Sequence, residues 1–364
     1  MSPTSYAWEV PATSSRLRIA TAGALVIVGV ALGACSTTAT SSTASLAASS
    51  GVGSASPFLA GNLSTISCGP SSICTAGGSS FNPNAKSSVL IDSTDAGTTW
   101  KQATRPIQPG ASITDAACAA TSCLVVGTVG TQPLLLRSAG KTHVFASAPE
   151  PTAGVLEAVA CSGPTHCLGI AASSSTLTTV TSTNAGATWL TGSTLPSSAG
   201  RVLHLSCDTP HDCVSAGIDQ HGTAQVLVTT DTGGAWTPLA LPKKVTSVLQ
   251  AACRTGGTCL VVARKDGGTT PLLLQGTVSD PLLSKIPMPG QLIAPDAVTC
   301  ISSTCVVVGS GSSSQGAASS LTRSSWHTIA LTFAPTALVD VSCTGATSCS
   351  AIGSGSVVRL APAT

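Results

Sequence analysis

The chain has 364 residues and a formal net charge of +2; 8% of its residues are charged and 43% apolar. No basic stripe runs through it, so nucleic-acid binding has no electrostatic footprint, and the apolar content is far from a disordered profile. Its 15 cysteines are an odd number: seven close pairs and Cys35.

Residues 1–34 read as a secretory leader, with Arg16 and Arg18 as the positive region and Ile19 to Ala31 as the apolar core. That core is shorter than the roughly 20 residues of a membrane-spanning helix. It ends in Leu32-Gly33-Ala34-Cys35, which resembles the lipobox of bacterial lipoproteins. The resemblance implies lipidation of Cys35, which becomes the mature N-terminus, and anchoring on the extracytoplasmic side of the cell membrane. Residues 35–56, rich in Ser, Thr, Ala and Gly, form a flexible tether of about 25 Å if it behaves as a random coil.

From residue 57 to 364 a repeat takes over, marked by Cys68/Cys74, Cys118/Cys123, Cys161/Cys167, Cys207/Cys213, Cys253/Cys259, Cys300/Cys305 and Cys343/Cys349. The first members stand 50, 43, 46, 46, 47 and 43 residues apart. A period in the mid-forties within β-type sequence points to a radial array of four-stranded blades. Each pair reads as a local disulfide, because a leader implies an oxidising compartment. Zinc is the rival, but the four- and five-residue gaps fit it poorly and no second ligand pair lies nearby in sequence. In each unit a strand runs into the first cysteine, and a second opens at the other, as in Cys123-Leu-Val-Val, Cys259-Leu-Val-Val and Cys305-Val-Val-Val. A third strand and a Pro-rich fourth follow. The last unit stops after its third strand, and residues 56–60 supply the missing fourth. The expected fold is therefore all-β: one seven-bladed ring, a disulfide per blade, closed by an N-terminal strand.

Three units carry a well-formed turn between strands three and four: Ser93-Thr-Asp95-Ala-Gly97-Thr-Thr-Trp100, Ser182-Thr-Asn184-Ala-Gly186-Ala-Thr-Trp189 and Thr229-Thr-Asp231-Thr-Gly233-Gly-Ala-Trp236. They resemble the Asp box of the BNR repeat, in which the acidic or amide side chain bonds backbone N–H groups, Gly takes positive φ and Trp packs under the hairpin. In that family the box is structural. The family includes sialidases, xyloglucanase-type glycosidases, the sortilin receptor domain and a photosystem II assembly factor, and fold alone does not choose among them. Sialidase chemistry needs a tyrosine nucleophile and an arginine trio; the single tyrosine is Tyr6, in the leader, and no such trio is found. Two-carboxylate glycosidases need paired acids and aromatic platforms, yet Trp100, Trp189, Trp236 and Trp326 all sit at blade turns. No catalytic residue, cofactor or metal ligand is assigned; Asp219 with His221 is a weak two-ligand pattern only.

Aligning the units on the first cysteine places a small residue before it throughout: Ser67, Ala117, Ala160, Ser206, Ala252, Thr299 and Ser342. Period-two alternation turns these toward a crowded central channel. On the same side, three before the cysteine, stand Asp115, His204, Gln250 and Asp340, a candidate ring at the channel mouth. The solvated pore lining is the plain alternative. Loops 2–3 and 4–1 share the face that carries most charges. The expected function is a monomeric, non-enzymatic surface lipoprotein, a scaffold or assembly factor holding a protein partner on that face. A divergent glycosidase or lyase, or a carbohydrate-binding propeller, is the alternative.

Overall fold

The computed structural model describes residues 55–364, apart from 81–87, 104–106, 109, 139, 141–143, 175, 332–335 and 363–364. The leader, Cys35 and the tether lie outside the described residues.

The described chain is all-β. Five four-stranded antiparallel sheets and one six-stranded sheet form a propeller. Short strands alternating apolar and small polar residues build them; the second strand is buried along most of its length, as in Thr304–Ser310 and Thr258–Lys265.

All seven expected disulfides are present: Cys68–Cys74, Cys118–Cys123, Cys161–Cys167, Cys207–Cys213, Cys253–Cys259, Cys300–Cys305 and Cys343–Cys349. Each joins residues directly opposite in the ladder between first and second strands. One detail of the cysteine pattern is corrected. The second strand opens at Cys213 as expected, but at Thr258, one residue before Cys259. His166, Thr304 and Ser348 likewise precede their cysteines in the strand, because the ladder continues past the disulfide into the turn, as in Arg254 opposite Thr258. The bridges are local, as expected, and they also pack between blades. Cys213 is buried with Leu168 and Ile170 of the preceding blade, and Cys259 with Val214 and Val226 of its preceding blade. Their sulfurs thus add to the packing between blades as well as closing a turn within one.

The blade count corrects the expectation of seven: backbone hydrogen bonds form six sheets, with the seven disulfides distributed over six blades. Cys207–Cys213 and Cys253–Cys259 each keep a four-stranded blade of their own; the exception lies at the chain's two ends. Ala55–Cys68 is one unbroken strand of 14 residues, and Ser348–Leu360 is another of 13. The N-terminal strand pairs with Ser356 to Val358 through residues 55–57, and with Cys74–Ser80 from Gly61 onward. One ladder thus carries on where two separate blades were expected, and the merged blade holds both Cys68–Cys74 and Cys343–Cys349.

Packing follows neighbours around the ring. The residues two before each first cysteine (Ile66, Val159, Leu205, Val298, Val341 and two alanines) are buried between adjacent units, at about 2 kcal/mol for each large one. One cluster joins Val214, Val226 and Val228 to Val248, Val261 and Leu274 of the next unit. Another closes the ring, bringing Leu63, Ile66 and Ile91 against Ile352 and Val357.

The first strands hold a feature that alternation did not predict. In all seven, the register skips the residue four before the first cysteine: Ser64, Thr114, Glu157, Leu203, Leu249, Asp296 and Val339. This β-bulge resets the phase of the strand. The residue before it (Leu63, Ile113, Leu156, Val202, Val248, Pro295, Leu338) returns to the interior, and none of the bulged residues is buried.

Candidate functional site in the central channel

Close to its first cysteine, the first strand of each unit pairs only with the second strand, leaving unpaired N–H groups toward the axis, as on any sheet edge. Side chains of the preceding unit satisfy several of them. Val159 N–H donates to Asp115 Oδ2 at 2.9 Å, Val298 N–H to Gln250 Oε1 at 2.9 Å, and Ile66 N–H to Asp340 Oδ2 at 2.8 Å. In each case the residue three before one cysteine reaches the residue two before the next. Serines do the same one step on: Cys118 N–H donates to Ser67 Oγ at 2.9 Å and Cys68 N–H to Ser342 Oγ at 2.8 Å. Glu157, a bulged residue, accepts from Val202 N–H at 3.1 Å.

Of the four residues expected to ring the channel, Asp115, His204 and Asp340 line one cavity of about 280 Å³ with Thr65. Gln250 reaches the group through a bond from its Nε2 to Asp340 Oδ1 at 2.7 Å. The wall is made of the predicted small residues, Ser67, Ala117, Ala160, Ser206, Thr299 and Ser342, and six of the first cysteines. The second cysteines, Cys213 and Cys259 among them, stand back from it in the cores between blades. The lining extends to Pro70, Gly163 and Asp208 in the cysteine turns, so this cavity reaches toward the face opposite the charged loops. Asp208, which alignment on the cysteines did not single out, is the further acid on that wall.

Burial shapes the chemistry. It pushes Asp115 up to about 7 against its two backbone N–H bonds, with the Asp340 charge adding to the rise. It pushes Asp340 up to about 6, opposed by the bonds from Gln250, Ile66 and Val341. It drives His204 down to about 4, so the imidazole is neutral at pH 7. His204 Nδ1 is shut off from solvent and has no hydrogen-bond partner.

The three predicted turns share one geometry. Ser93 donates to Asp95 Oδ1 at 2.7 Å, Gly97 N–H to Ser93 Oγ at 2.9 Å, and Thr99 N–H to Asp95 Oδ1 at 2.8 Å. Asn184 accepts from Ser182 Oγ and Thr188 N–H, and Asp231 from Thr229 Oγ1 and Ala235 N–H. Gly97, Gly186 and Gly233 each have φ near 79°, and a Cβ there would strike Ser350, Leu124 or Thr179 of the preceding unit. Backbone bonds tie each turn to its own cysteine turn: Ala96 to Ser72, Ala185 to Thr165, Thr232 to His211. Trp100 Nε1 donates to Gly97 O and Trp236 Nε1 to Thr179 Oγ1, while Trp189 Nε1 is buried without a partner. None of these tryptophans lines the channel cavity. Asp219 caps its own turn by accepting from His221 and Thr223 N–H.

No family model and no curated protein matches the chain. Solved structures do. YCF48 bound to a D1 peptide superposes with a TM-score of 0.60 at 11% identity, over 85% of this chain and 96% of that one. A streptogramin B lyase gives 0.59 at 11% identity, over 85% and 97%. A GH74 xyloglucanase from Xanthomonas campestris gives 0.56 at 14% identity, over 82% of this chain and 51% of its own. At these identities the likeness is one of fold: the chain is a β-propeller.

Proposed function

Starting from that scaffold, we propose that the protein is a lipid-anchored, extracytoplasmic propeller that holds a protein partner on the face of loops 2–3 and 4–1, as a scaffold or assembly factor rather than an enzyme. The observation that carries this reading is the distribution of exposed large apolar side chains. Val155, Leu203, Ile293 and Val339 are 37%, 45%, 52% and 38% exposed; Val155 opens a first strand, Ile293 immediately precedes one, and Leu203 and Val339 stand at first-strand bulges. Leu190 and Leu282, also exposed, belong to fourth strands instead, and Val144 immediately precedes one. Exposed large apolar residues that recur at equivalent places of several units offer apolar contact to a partner. Two further observations support the reading. The acids that a hydrolase would aim at a substrate here hold neighbouring strands, and the tryptophans that would stack on sugars are packed into turns. A propeller of similar backbone has been solved holding a peptide; the lipobox and Asp-box resemblances agree with a surface protein of this kind.

The test is cross-linking from intact cells. Wild type should capture a defined partner, and Leu203→Asp with Val339→Asp should lose it while keeping its melting temperature. Turnover of chromogenic glycosides by the purified chain would sink the binder reading.

A further inference from the structure

The channel cavity lies toward the opposite end of the propeller from the proposed partner face, and its chemistry is separate. Its ionisable lining consists of Asp115, Asp340, Asp208 and His204; among the described residues no lysine or arginine faces it. His204 is neutral, so the acids on this lining have no cationic side chain opposite them among the described residues. The carboxylates retain acceptor capacity. Asp115 accepts one bond on each oxygen, from Ala116 and Val159 N–H. Asp340 accepts two on Oδ1, from Gln250 and Val341, and one on Oδ2, from Ile66. An ionised carboxylate offers about four lone-pair sites, so both have room for a further donor. His204, on the same lining, has a buried Nδ1 without a hydrogen-bond partner.

We infer that this cavity binds an organic cation, a primary ammonium or a guanidinium, with Asp115 and Asp340 as its counter-charges. A metal ion suits the site less well, because no three His, Cys, Asp or Glu side chains among the described residues converge closely enough to hold one. A cation with several N–H donors on an extended frame can bridge carboxylates that a single ion cannot, and a guanidinium meets carboxylates in forked pairs. The volume of about 280 Å³ accommodates a group the size of a basic side chain. Such a cation has two sources: a small free amine, or a side chain presented by another protein at the cysteine-turn face.

The experiment is calorimetric titration of the full-length chain with agmatine and n-butylammonium, and with Gly-Gly-Arg-Gly-Gly as the side-chain source; calcium, magnesium and glucose serve as controls. One-to-one binding of agmatine at pH 7.5 is expected, at least tenfold weaker in Asp115→Asn and in Asp340→Asn, whose folding is checked by melting temperature. Binding at pH 6 should release protons, seen as heats that vary with the buffer, and affinity should fall at pH 5. Peptide binding as strong as agmatine's identifies a side chain as the source; agmatine alone identifies a free amine; either sustains the inference. Undiminished binding in the two variants, binding of divalent cations only, or no binding of any organic cation at millimolar concentration overturns it. Should the variants fail to fold, the wild-type pH series decides, and an affinity unchanged between pH 5 and 8 overturns the site.

Discussion

Asp340 joins three parts of the ring through one carboxylate: its own strand at Val341, the amide of Gln250, and the N-terminal strand at Ile66, 274 residues away in sequence. Asp340→Ala leaves those donors without an acceptor, and a buried donor left unsatisfied costs about 1–3 kcal/mol. A loss of about 3 kcal/mol in unfolding free energy is expected, read as a lower denaturant midpoint. The pH dependence has a definite sign. Asp115 and Asp340 sit above their ordinary value of 3.8, at about 7 and about 6, with burial the main cause. The folded chain therefore binds these protons more tightly than the unfolded chain, and stability rises as pH falls through both folded values toward the unfolded one. His204 opposes this below 6.5, since burial makes its protonation unfavourable. Two carboxyls outweigh one imidazole, so the melting temperature should rise from pH 8 to pH 5 and the slope should shrink in Asp115→Asn. Asp115, His204, Gln250 and Asp340 could be grouped from the sequence because they share one alignment position. The use of Asp115, Gln250 and Asp340 as ties between strands was not legible there, because the partner of each lies 44 or more residues away.

The turn elements were the most readable part of the chain, since the Ser, Thr, Asp and Asn side-chain bonds that shape each one span four residues or fewer. The natural Asn184 keeps the turn that Asp95 and Asp231 make, with Oδ1 accepting the same backbone N–H at 2.9 Å. Asp95→Asn should therefore shift stability by less than about 0.5 kcal/mol, whereas Asp95→Ala removes the acceptor for Thr99 N–H and costs about 1 kcal/mol. Thermal melts of the two variants side by side check the difference. The strand elements were less readable. Nothing in the composition of Ser64, Thr114, Glu157, Leu203, Leu249, Asp296 and Val339 signals a bulge, because a bulge is set by pairing with the neighbouring strand and not by the residue itself.

At the scale of the molecule, the period announced a ring and the cysteines announced its staples, but the sheet count did not follow from either. Whether a backbone ladder ends or carries on between Pro57 and Gly61 depends on Ser348–Leu360, at the other end of the chain. That join should govern stability. Removing residues 55–60 exposes the edge of the C-terminal strand, and an open edge invites association; the shortened chain should melt earlier and elute as oligomers in size-exclusion chromatography. Each short-loop disulfide adds about 2 kcal/mol on the chain-entropy view. Reduction of all seven should lower the melting temperature further than the terminal deletion does, with Ellman titration following the thiols released.

The bulged residues have a consequence for how such a protein can change. Each stands outside the hydrogen-bonded register, at the same height around the axis, and each is at least partly exposed. Glu157, Asp296 and Leu249 are tied to neighbours all the same, by the bond from Val202, the ion pair with Arg264 and packing on the core between blades, whereas Leu203 and Val339 stand 45% and 38% exposed, like letters on a dial whose wheel is fixed. If that face holds a partner as proposed, substitutions at these two positions change what it presents without the fold being renegotiated.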